Sequence, residues 1–209
     1  MTRCPALGHA HRHAPAPVAL HIEGGNLLSD GAGTLFTTER TLAANPYHTR
    51  QTLEALLRET LGCERLHVLS RLPVENTGHV DLLVKPVATD RLLISAPNGW
   101  DGGSLRALRR QLERASNAQG QPYTLIDLPT PRPYVNWLLW PIFRSYTNAL
   151  LCNGRALVPV YGLPSDEAAL LTYEQALPGY TVLPIDLRLG INGGGAVHCM
   201  TREVPALGE

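Results

Sequence analysis

Four short stretches hold the side chains able to do chemistry: "EGGN" at residues 23–26, "TGHVD" at 77–81, "YTN" at 146–148 and "GGGAVHC" at 193–199. The thiol of Cys199 is a nucleophile once ionised, and it needs a base to hold or move protons. Its neighbour His198 is read as unsuited to that task, because adjacent residues of a strand point to opposite faces. His79 is the better base: Asp81, two residues on, shares its face of a strand, and the carboxylate of Glu23 is suited to accept from an imidazole and fix its orientation. Each residue also has a plain structural reading. A lone Cys is more often a small buried apolar group, a His at a sheet end a satisfied polar one, and Asn148 the tie of a turn. Taken alone, the glycine runs are weak turn signals. It is the combination that points to a site.

The elements that must position these residues repeat at intervals of roughly 60 residues. Each unit reads strand, strand, helix, strand. In the first, "HIEGGNLLSD", "GTLFTTERTL", the helical "TRQTLEALLRETLG" and "RLHVLSRL" follow one another; in the second, "GHVDLLVKPV", "DRLLISA", "GGSLRALRRQLERASNAQG" and "YTLIDLP". "SYTNALLCN", "RALVPVYG", "SDEAALLTYEQALPG" and "YTVLPID" make the third, and "GGGAVHCMTREVP" reads as the opening strand of a fourth. The special residues therefore fall at or just before the first strand of a unit, and units set around an axis bring them to one centre. Gly24, Gly25 and Gly193 to Gly195 are read as clearance for close backbone approach.

Composition narrows the classes of function. Eighteen basic and eighteen acidic residues among 209 cancel, which gives no field for nucleic acid or an anionic membrane, and 44% apolar content fills a core. No apolar run approaches the roughly 20 residues that cross a bilayer. The cysteines at 4, 63, 152 and 199 lack CxxC spacing and no export signal is recognisable, so the thiols are read as reduced and the protein as cytoplasmic. Residues 1–19, rich in His, Pro and Ala, read as a loose terminus in which "HAHRH" is a bystander rather than a metal site; 20–209 read as one domain. Lys85 and Arg144 are read as solvated rather than as receptors for a substrate carboxylate. The aromatic run at 131–148 reads equally as a pocket mouth or as a packed loop with its Trp rings buried.

In order along residues 22–205, "EGGN", "TGHVD", "YTN" with "VPVYG", and "GGGAVHC" with a following Pro resemble the motifs of the agmatine deiminase and bacterial-type peptidylarginine deiminase family, within the guanidino-group-modifying pentein superfamily. The resemblance implies an α/β pentein propeller, a five-fold pseudosymmetric ring of ββαβ modules. It implies Cys199 as nucleophile, His79 as general acid and base, Glu23 as the carboxylate orienting it, Asp81 as a guanidinium-gripping carboxylate and Asn148 as a helper near the thiol. The reaction implied converts a guanidino group to a ureido group with release of ammonia, on agmatine or on peptidyl or free arginine, with no metal or other cofactor.

Against that pattern, the family's "RD.GP"-like motif, which supplies a second guanidinium-binding Asp, has no counterpart before Glu23. The expectation is an incomplete propeller of about three modules plus the start of another. Its exposed module faces invite self-association or completion by another chain, and its activity alone is low or absent. The competing expectation is a non-catalytic pentein module that binds a partner or a guanidino ligand.

Overall fold

Three stretches of the chain fold to one plan, an antiparallel strand pair followed by helix and a third strand returning parallel to the second. The computed structural model describes residues 18–73, 75–98 and 102–203. The first sheet holds β1 (Leu28–Ser29), β2 (Thr34–Thr38) and β3 (Arg65–Leu69), with α1 (Glu39–Ala44) and α2 (Arg50–Leu61) between β2 and β3. In the second, β4 (Val84–Ala88) and β5 (Arg91–Ser95) are followed by α3 (Gly102–Glu113) and β6 (Thr124–Leu128). A small hairpin of β7 (Tyr134–Val135) and β8 (Pro141–Ile142) precedes the third sheet, β9 (Leu150–Cys152), β10 (Arg155–Val160) and β11 (Thr181–Asp186), with α4 (Asp166–Ala176) before β11.

Local chemistry sets the helix ends. Thr49 and Thr52 form a reciprocal capping box at the start of α2, and Gly62 closes it in the left-handed region at φ 66°, its N–H donating to the Arg58 carbonyl. Asp166 and Glu167 occupy the positive first turn of α4. The two-residue period of β5 sorts the core. Leu92 and Ile94 face Leu105, Leu108 and Leu112 of α3 together with Phe36 of β2, whereas Leu93 joins the third unit beside Val158, Ala169 and Tyr173. All of these side chains are buried, each worth about 1.5–3 kcal/mol in transfer for a fully buried Leu or Ile, so β5 welds the units together. No helix among the described residues is long and apolar enough to cross a membrane.

Three local expectations are corrected. "GTLFTTERTL" does not run on as a strand, because Thr38 leaves β2, accepts from the Arg40 amide and caps α1. His79 and Asp81 lie in and beside a tight 3-10 turn, Val80–Leu82, ahead of β4 rather than on one strand face. The 193–199 segment opens no fourth strand: a 3-10 turn at Gly190–Gly193 leads through Gly194, at φ 89°, into a helix-like turn in which Met200 donates to the carbonyls of Ala196 and Val197. The reading of the terminus, "HAHRH" included, falls for residues 1–17 outside the described residues.

Candidate active site

The turns that precede the first strands of the units meet at a cavity of about 540 Å³. "EGGN" supplies Glu23 and its latch: the 3-10 turn Gly24–Asn26 buries Asn26, whose side-chain oxygen accepts from the amides of Thr38 and Val80 and whose nitrogen donates to Thr41 Oγ1. One Asn thus fastens the first unit to the turn that carries His79 and Asp81. Ahead of that turn, Gly78 stands at φ 65° and gives its N–H to Glu75, a conformation that favours glycine.

"YTN" divides its work among three side chains. Tyr146 is buried, its hydroxyl donating to Asp166 at 2.7 Å. Thr147 donates to the Asp81 carbonyl at 2.8 Å. Asn148 holds the thiol loop at three points: Nδ2 donates to Cys199 Sγ at 3.1 Å, Oδ1 accepts from the Cys199 amide at 3.2 Å, and its carbonyl accepts from the His198 amide at 3.1 Å.

The structure brings Glu23, His79, Asp81, Asn148 and Cys199 together. His79 Nε2 lies 2.5 Å from Glu23 Oε2. A carboxylate only accepts, so Nε2 carries the proton; the other nitrogen, Nδ1, is buried without a partner among the described residues. The hydrogen bond from His79 is the main influence holding the Glu23 carboxyl below its usual range. Asp81 is fully buried. Its Oδ2 accepts from His198 Nδ1 at 2.8 Å and from the Cys199 thiol at 3.4 Å, and its Oδ1 is buried with no partner among the described residues. One donor atom each from His79, Asp81 and Cys199 lies within 4.8 Å of the others, so a soft cation would compete for the same atoms as a substrate.

Burial pushes the Cys199 thiol up to about 12; the Asp81 charge adds to that, and the hydrogen bond from Asn148 works against it. Without a ligand the sulfur therefore keeps its proton at neutral pH. Cys63, Cys152 and Cys199 are all unpaired thiols.

Two glycines are set by close approach. A Cβ on Gly25 would stand 2.6 Å from His79 Nδ1 and 2.8 Å from Asp81 Oδ2, and one on Gly195 would stand 2.7 Å from the Cys199 Cβ. Gly194 is needed for its positive φ instead, and Gly193 has open space where its Cβ would be. A Cβ on Gly24 would meet only the Arg202 guanidinium, at 3.4 Å.

His198 is the residue that sequence reasoning misplaced. In a turn rather than a strand, residues 198 and 199 both reach Asp81, so His198 lines the cavity and steadies the carboxylate beside the thiol. Lys85 is also corrected: it is buried on β4, and burial brings its ammonium down to about 8 against the opposing pull of Asp81, Glu203 and Cys199. Arg144 is half-buried, donates to the Arg132 carbonyl and lies over the Tyr134 ring, away from this cavity. Both readings of the aromatic run fail for Trp137 and Trp140, which are 82% and 58% exposed on the β7–β8 hairpin and do not line the cavity.

Sequence comparison decides the family. The model of the Porphyromonas-type peptidyl-arginine deiminases matches residues 5–205. The chain belongs to that family. Among its relatives, the agmatine deiminases of Stutzerimonas stutzeri and Pseudomonas fluorescens are each 30% identical over 210 residues, a match covering 88% of this chain and 57% of theirs. This family member thus spans less than two thirds of the length of those relatives. The solved structure of the Enterococcus faecalis agmatine deiminase superposes with a TM-score of 0.85 over 95% of this chain and 61% of that one; at 22% identity it speaks for the shared fold alone.

Proposed function

We propose that the chain carries a guanidino hydrolase site in which Cys199 is the nucleophile, His79 the general acid and base, Glu23 its orienting carboxylate, and Asp81 and Asn148 the groups that hold substrate and thiol. The observation that carries the reading is the setting of one sulfur between the Asn148 amide and the Asp81 carboxylate, in a cavity that also holds the Glu23–His79 pair. The substrate is agmatine or an arginine-type compound, both of which end in the same planar cation.

A guanidinium suits the vacant valences. The partnerless Oδ1 of Asp81 accepts one of its N–H groups. Its charge offsets the two influences that keep Cys199 protonated, so the thiolate forms where the electrophile is bound and the thiol proton passes to Nδ1 of His79. The thiolate adds to the guanidino carbon and a C–S bond forms. Nδ1 of His79 delivers a proton to one nitrogen, the C–N bond breaks, and ammonia leaves, giving an S-linked amidino intermediate. Water then gives a proton back to Nδ1 and adds to the same carbon. The C–S bond breaks, the thiolate is restored and a ureido product departs. The sum is guanidino group plus water to ureido group plus ammonia, and every proton is moved by a side chain.

The three ββαβ units are, in this reading, blades of a pentein-type ring around the cavity. Their shared topology and the convergence of the turns before their first strands support it. The reduced thiols suit a cytoplasmic setting. Ammonia release and ureido product, measured with agmatine, L-arginine and an arginine peptide against a Cys199→Ala control, test the function. Equal background for both chains refutes it, and saturable binding without turnover returns the protein to the class of binding modules.

A further inference from the structure

One cation of the cavity has no work in the reaction above. Arg202 is exposed, lines the cavity wall with Glu23, Gly24 and Cys199, and is the only Lys or Arg among the lining residues. Its guanidinium lies alongside Gly24, where the absence of a Cβ leaves it room; the nearer nitrogen is 3.4 Å from the position a Cβ would take. It makes no hydrogen bond or ion pair with any described residue, its neighbour Glu203 included. The other cations raised as carboxylate receptors are committed elsewhere, Lys85 inside the sheet and Arg144 to the Arg132 carbonyl and the Tyr134 ring.

A substrate whose guanidino group meets Cys199 and Asp81 must lay its far end along the cavity wall. In agmatine that end is an ammonium, which Arg202 repels. In arginine the Cα carries a carboxylate, which a guanidinium binds through two parallel N–H groups. We propose that Arg202 is a specificity residue, the receptor for a Cα-carboxylate, and that the site prefers carboxylate-bearing guanidines to agmatine. The inference rests on the guanidino-hydrolase reading and sharpens its substrate class. Because Arg202 is exposed, the expected preference is on the order of tenfold, near the lower end for a charge-assisted pair.

The test is calorimetric binding to the full 209-residue chain carrying Cys199→Ala, which needs no turnover, with four ligands: L-arginine, N-acetyl-arginine, arginine amide and agmatine. L-arginine and N-acetyl-arginine, free and peptide-like sources of the same carboxylate, bind about tenfold tighter than arginine amide and agmatine. Adding Arg202→Gln removes that ratio, while Arg202→Lys keeps part of it; both folds are checked by circular dichroism. Arginine amide binding as tightly as L-arginine, or a ratio that survives Arg202→Gln, overturns the role of Arg202 and leaves the hydrolase reading standing. Binding of none of the four overturns both.

Discussion

The cavity and the β7–β8 hairpin make an instructive pair. The hairpin shows two exposed Trp rings, with Trp137, Leu139 and Trp140 all more than half exposed, yet the hydrogen bonds at its tip shape its own turn, Asn136 accepting from the amides of Leu138 and Trp140. The candidate site is built from modest polar side chains, several of them tied across units: Glu23 to His79, Asn26 to Val80, Thr147 to Asp81, Asn148 to Cys199. Bulk marks surface here, and cross-unit polar tethering marks the candidate site. Two buried polar atoms of the site, His79 Nδ1 and Asp81 Oδ1, have no partner among the described residues, and the proposed reaction uses both.

Substitutions should separate the regions sharply. Cys199→Ala is expected to bring ammonia release to background while circular dichroism and the thermal midpoint stay near those of the parent. His79→Gln comes next, lowering kcat by about 10²–10⁴-fold in steady-state assays, in the range for loss of a general acid and base. Gly25→Ala should cost on the order of 100-fold in kcat/KM, since the new Cβ must drive His79 or Asp81 aside and displacements of about 1 Å carry penalties of that size. Trp137→Ala should do almost nothing, shifting stability by less than about 0.5 kcal/mol in urea unfolding and leaving kcat/KM within twofold. An effect of Trp137 rivalling that of Gly25 would break the contrast between the two regions.

A pH series sharpens it further. With the thiol of Cys199 raised to about 12, its alkylation by iodoacetamide should still be climbing at pH 10 in the free chain. A small guanidinium salt, by adding positive charge beside Asp81, should move that rise to lower pH. A profile already level at pH 8 without ligand would mean that burial and Asp81 do not control the sulfur.

Much of this was legible in the sequence, for identifiable reasons. The ββαβ order could be read because β5 alternates cleanly, α2 closes on Gly62 and α4 opens on acidic residues. The grouping of Glu23, His79, Asp81, Asn148 and Cys199 followed from equivalent places in repeated units. What failed was local geometry that only long-range tethers decide. His198 was assigned to the wrong side because a strand was assumed where Asn148 folds the loop into a turn. Lys85 looked solvated because nothing in "LLVKPV" shows that β4 is covered. Arg202 carried no signal beyond its charge, and only the placement of Gly24 beside it gives that charge a location.

The most direct measurement is peptide-mapping mass spectrometry of the His79→Gln chain after incubation with L-arginine or agmatine and acid quench. With the proton carrier removed both halves of the reaction are slowed, and over a long incubation the account predicts a covalent amidino adduct on the peptide containing Cys199 and on neither Cys63 nor Cys152. A guanidino compound that binds and turns over with Cys199 unmodified, or turnover that survives Cys199→Ala, would contradict it.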